Sequence, residues 1–311
     1  MICGFRITFL TLLLVLSSLT AANQPVERNL TLIIAGNMPD IGSQVYGSYP
    51  ELAQLLESHR VKKTPTIFTF AGGSLGPSPL SSLDRGTHII DILNTLEPDV
   101  MTLTKREFSY FEDELTLRSY EAAFPIVSSN LYDPLIKSNL DGILTSLVVE
   151  KDNVKVGFIS ILDEEVVEEY LLKRVNVTDP KQVIQNQIAS LKQQGVDLVV
   201  LVYAKERAYY QTLISEHQID FALQVLSSNA INQGQIAAAN VFAISSKEPI
   251  KVLNLNWFAN SIEKNLQIAS EQLVSTPVET SSATSLLVNE YNQRLNRLLD
   301  QKIGMAGSEL N

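Results

Sequence analysis

A chain of 311 residues with 34 acidic and 24 basic side chains carries a formal net charge of −10. A surface that acidic argues against nucleic acid or anionic membrane as a partner. Its single cysteine is Cys3, so the body of the chain offers no disulfide, no cysteine–metal site and no thiol nucleophile.

The first 22 residues carry one cation, Arg6, then the apolar run Ile7 to Leu16, then small residues ending Thr20, Ala21 and Ala22. This is the order of a secretory signal peptide, with cleavage expected after Ala22. The run is too short to persist as a bilayer span, and no later stretch approaches the roughly 20 apolar residues a spanning helix needs. An exported chain without cysteine fits a bacterial periplasm, while the sequons at Asn29 and Asn176 leave a eukaryotic secretory route open.

From there β and α patterns alternate. Leu30 to Ile34 is short, apolar and β-branched, the signature of a buried strand, and Leu52, Leu55 and Leu56 recur at helical spacing within Tyr49 to Ser58. Thr66 to Phe70 gives a second strand. His88 to Leu96 gives a helix whose Ile89, Ile90, Ile92, Leu93 and Leu96 make an apolar stripe, and Val100 to Leu103 a third strand. Asp113 to Ala123 reads as helix, and Phe124 to Ser128 as extended chain, because a residue before proline avoids the helical region.

A second block opens with a hairpin, Leu147 to Glu150 and Val154 to Ile161 around Lys151, Asp152 and Asn153. Asp179 as N-cap and Pro180 at the first helical position start a helix that runs to Gln193 and is stopped by Gly195. Val196 to Val202 is a strand buried on both faces. Lys205 to His217 follows as helix, then Phe221 to Val225, Val241 to Ile244 and Ile250 to Trp257 as strands. The residues alone predict a layered α/β domain.

The most distinctive motif spans Phe70 to Ser82, reading Phe-Ala-Gly-Gly-Ser-Leu-Gly-Pro-Ser-Pro-Leu-Ser-Ser. It resembles the metal-binding loop of the periplasmic 5'-nucleotidase and UDP-sugar hydrolase family, whose catalytic domain is a calcineurin-like metallophosphoesterase. That family's loop runs approximately Asp-Ala-Gly-Asp-x-Phe-Gln-Gly-Ser-Pro-Leu-Ser, and its second Asp bridges two metal ions. Here that position is Gly73.

The resemblance covers the chain roughly from Leu30 onward and implies a four-layer α/β/β/α sandwich of the metallophosphoesterase type, followed by a C-terminal linker helix. It also implies where ligands belong. The family's Asn-Asp-x-His falls on Gly36, Asn37, Met38 and Pro39, with Asp40 nearby. Its Gly-Asn-His-Glu-Phe falls on Thr104, Lys105, Arg106, Glu107 and Phe108, its later Ser-His on Tyr203 and Ala204, and its Gly-Gly-His-Ser-His on Gln224 to Ser228.

Two-metal hydrolysis needs carboxylates, imidazoles and an amide holding ions about 3.5 to 4 Å apart to activate water. Each expected ligand position has lost or weakened its donor while the framework persists. The expectation is therefore no metal, no cofactor and no catalytic residue, with a possible anion-binding cleft at Asn37, Gly73, Lys105, Arg106 and Glu107.

Lys105 and Arg106 admit two readings. They could stand in for the missing ions and hold a phosphate, Arg offering a bidentate fork. Otherwise they neutralise Glu107 and neighbouring acids on a solvated loop, the commoner fate of charged loop residues. The acids Asp163, Glu164, Glu165, Glu168 and Glu169 read as a solvated helix face. His59, His88 and His217 lie at helix ends and read as capping or surface histidines rather than a relocated metal site.

Leu287, Tyr291, Leu295 and Leu298 recur at helical spacing toward Ile303 and Gly304, resembling the family's linker helix. The expected divisions are a signal peptide at 1–22, a metallophosphoesterase-like domain at 23–275, and linker plus helix at 276–311, with the family's substrate-binding domain absent. The functional expectation is an exported, catalytically inactive homologue that binds a phosphate-containing small molecule or a protein partner. An atypical phosphohydrolase, or a scaffold subunit binding a separately encoded domain through that helix, are the alternatives.

Overall fold

The structure, a computed structural model, describes residues 26–41, 47–226, 240–259, 264–273 and 278–300. The expected signal peptide, Ser227 and Ser228, and the stretch around Ile303 and Gly304 lie outside the described residues. No helix among the described residues is long and apolar enough to cross a membrane.

In chain order the first half contains β1 (Val26–Ala35), α1 (Tyr49–Arg60), β2 (Thr66–Phe70), α2 (Ser81–Asp84), α3 (Thr87–Leu96), β3 (Val100–Thr102), α4 (Phe111–Glu121), β4 (Ile126–Val127), β5 (Leu131–Tyr132) and β6 (Ile143–Leu144). The second contains β7 (Leu147–Lys151), β8 (Val154–Ile161), α5 (Val166–Glu169), β9 (Asn176–Val177), α6 (Pro180–Gln193), β10 (Leu198–Tyr203), α7 (Ala208–Ser215), β11 (Phe221–Val225), β12 (Val241–Ile244), β13 (Ile250–Ala259), β14 (Gln267–Glu271) and α8 (Ala283–Leu299).

Local chemistry explains the boundaries. Ser48 and Glu51 form a capping box on α1, with Pro50 in its first turn, and the Asp179 side chain accepts from the Lys181 amide at 2.8 Å to start α6. The β7–β8 hairpin turns through Asp152 and Asn153, both at positive φ, the primed-turn geometry that matches strand twist.

One sheet orders β14-β13-β1-β2-β3-β4-β6, the other β12-β11-β10-β8-β7. β1, β2, β3, β4 and β6 run parallel, as do β8, β10, β11 and β12, so each set ends its strands on one edge. Between the sheets lies an apolar layer of Leu32, Ile34, Leu255 and Trp257 from one side and Val156, Phe158, Val200 and Leu223 from the other. The outer face of the first sheet is covered by α1 and α3 through Leu52, Leu56, Ile89 and Leu93, that of the second by α6 and α7 through Ile184, Ile188, Leu191 and Leu213. The result is the expected α/β/β/α sandwich. Alternate β1 residues feed different layers, Leu32 and Ile34 inward, Ile33 and Ala35 outward, which is why the strand reads as a continuous apolar run.

Two expectations need correction. His59 and His88 are buried rather than exposed, at 2% and 0% accessibility. His88 Nδ1 lies 2.9 Å from both Asp84 carboxylate oxygens, and its ring packs edge-on to Tyr291 at 5.8 Å. The Tyr291 hydroxyl in turn donates to Asp91. His59 packs beside Lys62 and Glu271, its pKa lowered first by burial and then by the Lys62 charge. His217 is exposed.

The second correction concerns the apolar face of α8. Leu287, Tyr291 and Leu295 pack onto the chain's own core beside α1 and α3, while Leu298 stays 37% exposed. The hydroxyls of Thr95 and Thr284 meet at 2.8 Å at the other end of this contact.

Candidate functional site

The loops at the carboxyl ends of β1, β2, β3, β8, β10 and β11 converge on one edge of the sandwich, where open α/β sheets place ligands. Asn37 follows β1 in the left-handed region at φ 58°, a conformation that Asn tolerates better than most residues. Its side-chain amide donates to the Leu226 carbonyl beyond β11 at 2.6 Å, and its backbone N–H donates to the Gly72 carbonyl at 2.7 Å. Asn37 is thus 2% exposed and bridges the two sheets.

Gly72 and Gly73 follow β2, both at positive φ. A Cβ on Gly72 would stand 2.4 Å from the Thr102 carbonyl oxygen. One on Gly73 would stand 3.2 Å from the Asn37 Cα and 3.4 Å from its side-chain oxygen. At Gly73, where the resembling family carries its bridging Asp, this chain presses one loop against another.

Glu107 is the third buried member, at 3% exposure on a 3₁₀ turn that spans Lys105–Phe108. Its carboxylate accepts from the Thr104 amide and hydroxyl at 2.8 and 2.9 Å and from the Ser74 amide at 2.8 Å. Thr104 and Glu107 together form a capping box. Glu107 is thus stabilised by donors from two loops. Ser74 Oγ accepts from the Met38 amide at 2.8 Å, and the buried Tyr49 hydroxyl, whose pKa burial pushes up, donates to the Met38 carbonyl at 2.7 Å. Asn37, Gly73 and Glu107 therefore belong to one continuous knot of packed backbone.

Lys105 and Arg106 lie outside that knot and are partly exposed. Lys105 reaches Glu169 on α5 at 2.6 Å, and Arg106 donates its backbone N–H to the Thr104 hydroxyl at 3.3 Å. Beside them stand cations that sequence reading passed over: Lys205, paired with Glu165, and Arg207, paired with Glu164. Three of the acids expected on a solvated face thus each hold a cation from a different stretch of chain. Asp163, half-buried among them, has its pKa pushed up to about 6 by burial against the opposing pull of Arg207 and Lys205. These pairs join positions 40 to 64 residues apart, so periodicity could not reveal them. The only sequence signal was that each cation follows a predicted strand.

The donor set does not fit a pair of divalent ions. Gly73 has no donor, Pro39 cannot coordinate, Asn37 spends its amide on Leu226, and Lys105 is a cation bound to an acid. Among the described residues no group of three or more His, Cys, Asp or Glu could hold a metal. The neighbouring stretches 42–46 and 227–239 contain none of these four residue types. Two cavities, of about 690 and 330 Å³, lie away from the knot, one between α1 and the β13–β14 edge and one beside Arg60 and Lys151.

No protein-family model matches the chain. Two curated relatives are each named 2',3'-cyclic-nucleotide 2'-phosphodiesterase/3'-nucleotidase. The one from Salmonella typhimurium is 26% identical over 170 residues, covering 48% of this chain and 26% of that protein. The one from Yersinia enterocolitica is 26% identical over 208 residues, covering 60% of this chain and 31% of that protein. The chain therefore spans less than a third of the length of these relatives.

Solved structures resemble it over nearly all its length. A calcineurin-like phosphoesterase from Bacillus subtilis superposes with a TM-score of 0.69 at 17% identity, covering 89% of this chain and 100% of the other. An NAD nucleotidase from Haemophilus influenzae gives 0.68 at 15%, covering 90% and 70%. A 5'-nucleotidase precursor from Thermus thermophilus gives 0.65 at 16%, covering 88% and 60%.

Proposed function

Starting from a chain with the fold of the calcineurin-like phosphoesterases and 5'-nucleotidases, we propose that this protein is a non-catalytic homologue of their catalytic domain that binds a phosphate-containing small molecule. The observation that carries this reading is the contact between Gly73 and Asn37. An Asp placed at position 73 would need a strained positive φ and would press its Cβ against the Asn37 backbone. Such a Cβ would stand 3.2 Å from the Asn37 Cα, a contact that Asn37 would have to relieve by a shift of a few tenths of an ångström. Without such ions a two-metal mechanism has no activated water.

Export to the periplasm is part of the proposal, supported by the leader-like residues 1–22 and by the precursor named among the structural relatives. A metal-dependent phosphohydrolase with unusual ligands is the competing reading, favoured by the names of the curated relatives. The experiment that separates them is elemental analysis of the purified chain after exposure to Mn²⁺ and dialysis, with phosphate release measured from 2',3'-cyclic AMP, 3'-AMP and 5'-AMP. The proposal expects no stoichiometric metal and no turnover above a metal-free control. Two bound divalent ions per chain, or metal-dependent release of phosphate, would overturn it.

A further inference from the structure

We propose that the groove between α1 and the free edge of β14 receives an extended peptide segment of a partner protein, one that sets an arginine or lysine between apolar side chains. This goes beyond the phosphate-binding reading and does not depend on it.

β14 is the outermost strand of the first sheet, and among the described residues no strand pairs with its far side. Its register with β13 is unbroken from Gln267 to Glu271, with neither proline nor bulge, so the strand itself does nothing to block a further one. Four of its five residues are exposed. Such an edge takes up an extended peptide through main-chain hydrogen bonds, while pockets for alternate side chains set the choice of sequence.

The pocket lies alongside. Glu51, Gln54, Leu55 and Ser58 recur at helical spacing along one face of α1 and, together with Ile250 and Glu271, line the cavity of about 690 Å³. Glu271 stands opposite Val252, which packs in the core layer beneath α1, so its side chain is on the α1 face of the sheet.

Two groups there lack a donor. The Gln54 Oε1 atom is buried with no hydrogen-bond partner, a costly state for a polar atom. The Glu271 carboxylate has only long contacts, 3.5 Å to the Asn254 amide and 3.9 Å to His59. Burial, and then the Lys62 charge, lowers the His59 pKa, so the imidazole supplies no counter-charge at neutral pH. Lys251 also lines the cavity, but it pairs with Ile34 of the inter-sheet layer and so stands on the opposite face, beside Glu248 at 3.8 Å. A guanidinium or ammonium brings the donors that both acceptors lack, and residues two positions away along an extended chain point to the same side, toward Leu55 and Ile250.

A second copy of this chain does not meet that need. Paired antiparallel about a two-fold axis, its β14 would bring Gln267, Ala269 and Glu271 to the same face, adding an acid and no cation.

The test is calorimetric titration of the full chain with the blocked heptapeptide acetyl-Thr-Leu-Thr-Arg-Thr-Leu-Thr-amide, which sets its arginine and both leucines on one face. Saturable binding is expected, weakened at least tenfold when the peptide's arginine is replaced by glutamate and at least fivefold by Glu271→Gln, with thermal melting confirming the fold of the variant. A peptide N-methylated at alternate amides, unable to complete the ladder, should not bind. Absence of binding, equal affinity for the arginine and glutamate peptides, or full affinity of the N-methylated form would overturn the proposal. Sedimentation as a dimer that Ala269→Lys dissociates would assign the edge to a second copy, and binding seen only in a variant lacking residues 301–311 would assign the groove to the chain's own tail. Either result would overturn the partner reading.

Discussion

Two regions share the same edge of the sandwich and solve opposite problems. Around Asn37, Gly72, Gly73 and Glu107 the loops are buried and tied to one another by short bonds to backbone groups. A short distance away, Lys105, Lys205 and Arg207 face carboxylates across partly solvated ion pairs. The difference shows two ways in which a polar strand-end edge satisfies its own groups. One part is closed by main chain, where each unmade hydrogen bond would be costly, and the other keeps its charges where water screens them.

Substitutions should separate the two regions by magnitude. The largest effect is expected for Gly72→Ala, which adds a Cβ 2.4 Å from the Thr102 carbonyl at a positive φ. It should cost about 3 kcal/mol or more, read as a drop in melting temperature. Glu107→Ala, which strands the amides of Ser74 and Thr104, should cost about 2–3 kcal/mol in denaturant unfolding. A loss well under 1 kcal/mol for both would show that the knot is less tightly built than its distances imply.

Asp163→Asn should act in the other direction. The folded-state pKa of this acid is raised to about 6 by burial, so the folded protein holds a proton that the unfolded chain releases nearer 3.8. Stability therefore falls as pH rises between those values. The Asn variant should gain about 1–2 kcal/mol at pH 7, allowing for solvent screening, and nothing at pH 3.5. A gain of the same size at both pH values would point to packing instead. The smallest effect is expected for Lys105→Ala, under about 1 kcal/mol and diminished by salt, since its pair with Glu169 is about as exposed as it is buried.

The fold was legible wherever apolar residues followed one period. Thr66–Phe70, Val154–Ile161, Pro180–Gln193 and Phe221–Val225 begin and end where the pattern and caps place them. β14 was missed because Gln267–Glu271 is a largely exposed edge strand with almost no apolar signal. The burial of His88 was missed because its neighbour Tyr291 comes from a helix about two hundred positions later, and no local pattern announces that contact.

Of the candidate site, the strand-end positions could be read and the side-chain environments could not. Glu107 looked like a loop acid awaiting neutralisation by cations, yet Lys105 goes to Glu169, and the Glu107 carboxylate is satisfied by amides and a hydroxyl from Ser74 and Thr104. Burial decides between those fates, and burial at loop ends is a product of the assembled tertiary structure.

The position of β1 has a consequence for how the polypeptide acquires its shape. Its partners on either side are β2, which follows soon after, and β13, whose Asn254 side chain accepts from Thr31 across 223 positions. A chain folding from its N-terminal end therefore carries an apolar strand with one open edge until β13 is also available. Such non-local closure slows folding and prolongs exposure to aggregation. Chaperone dependence should accordingly track how long β1 waits for β13.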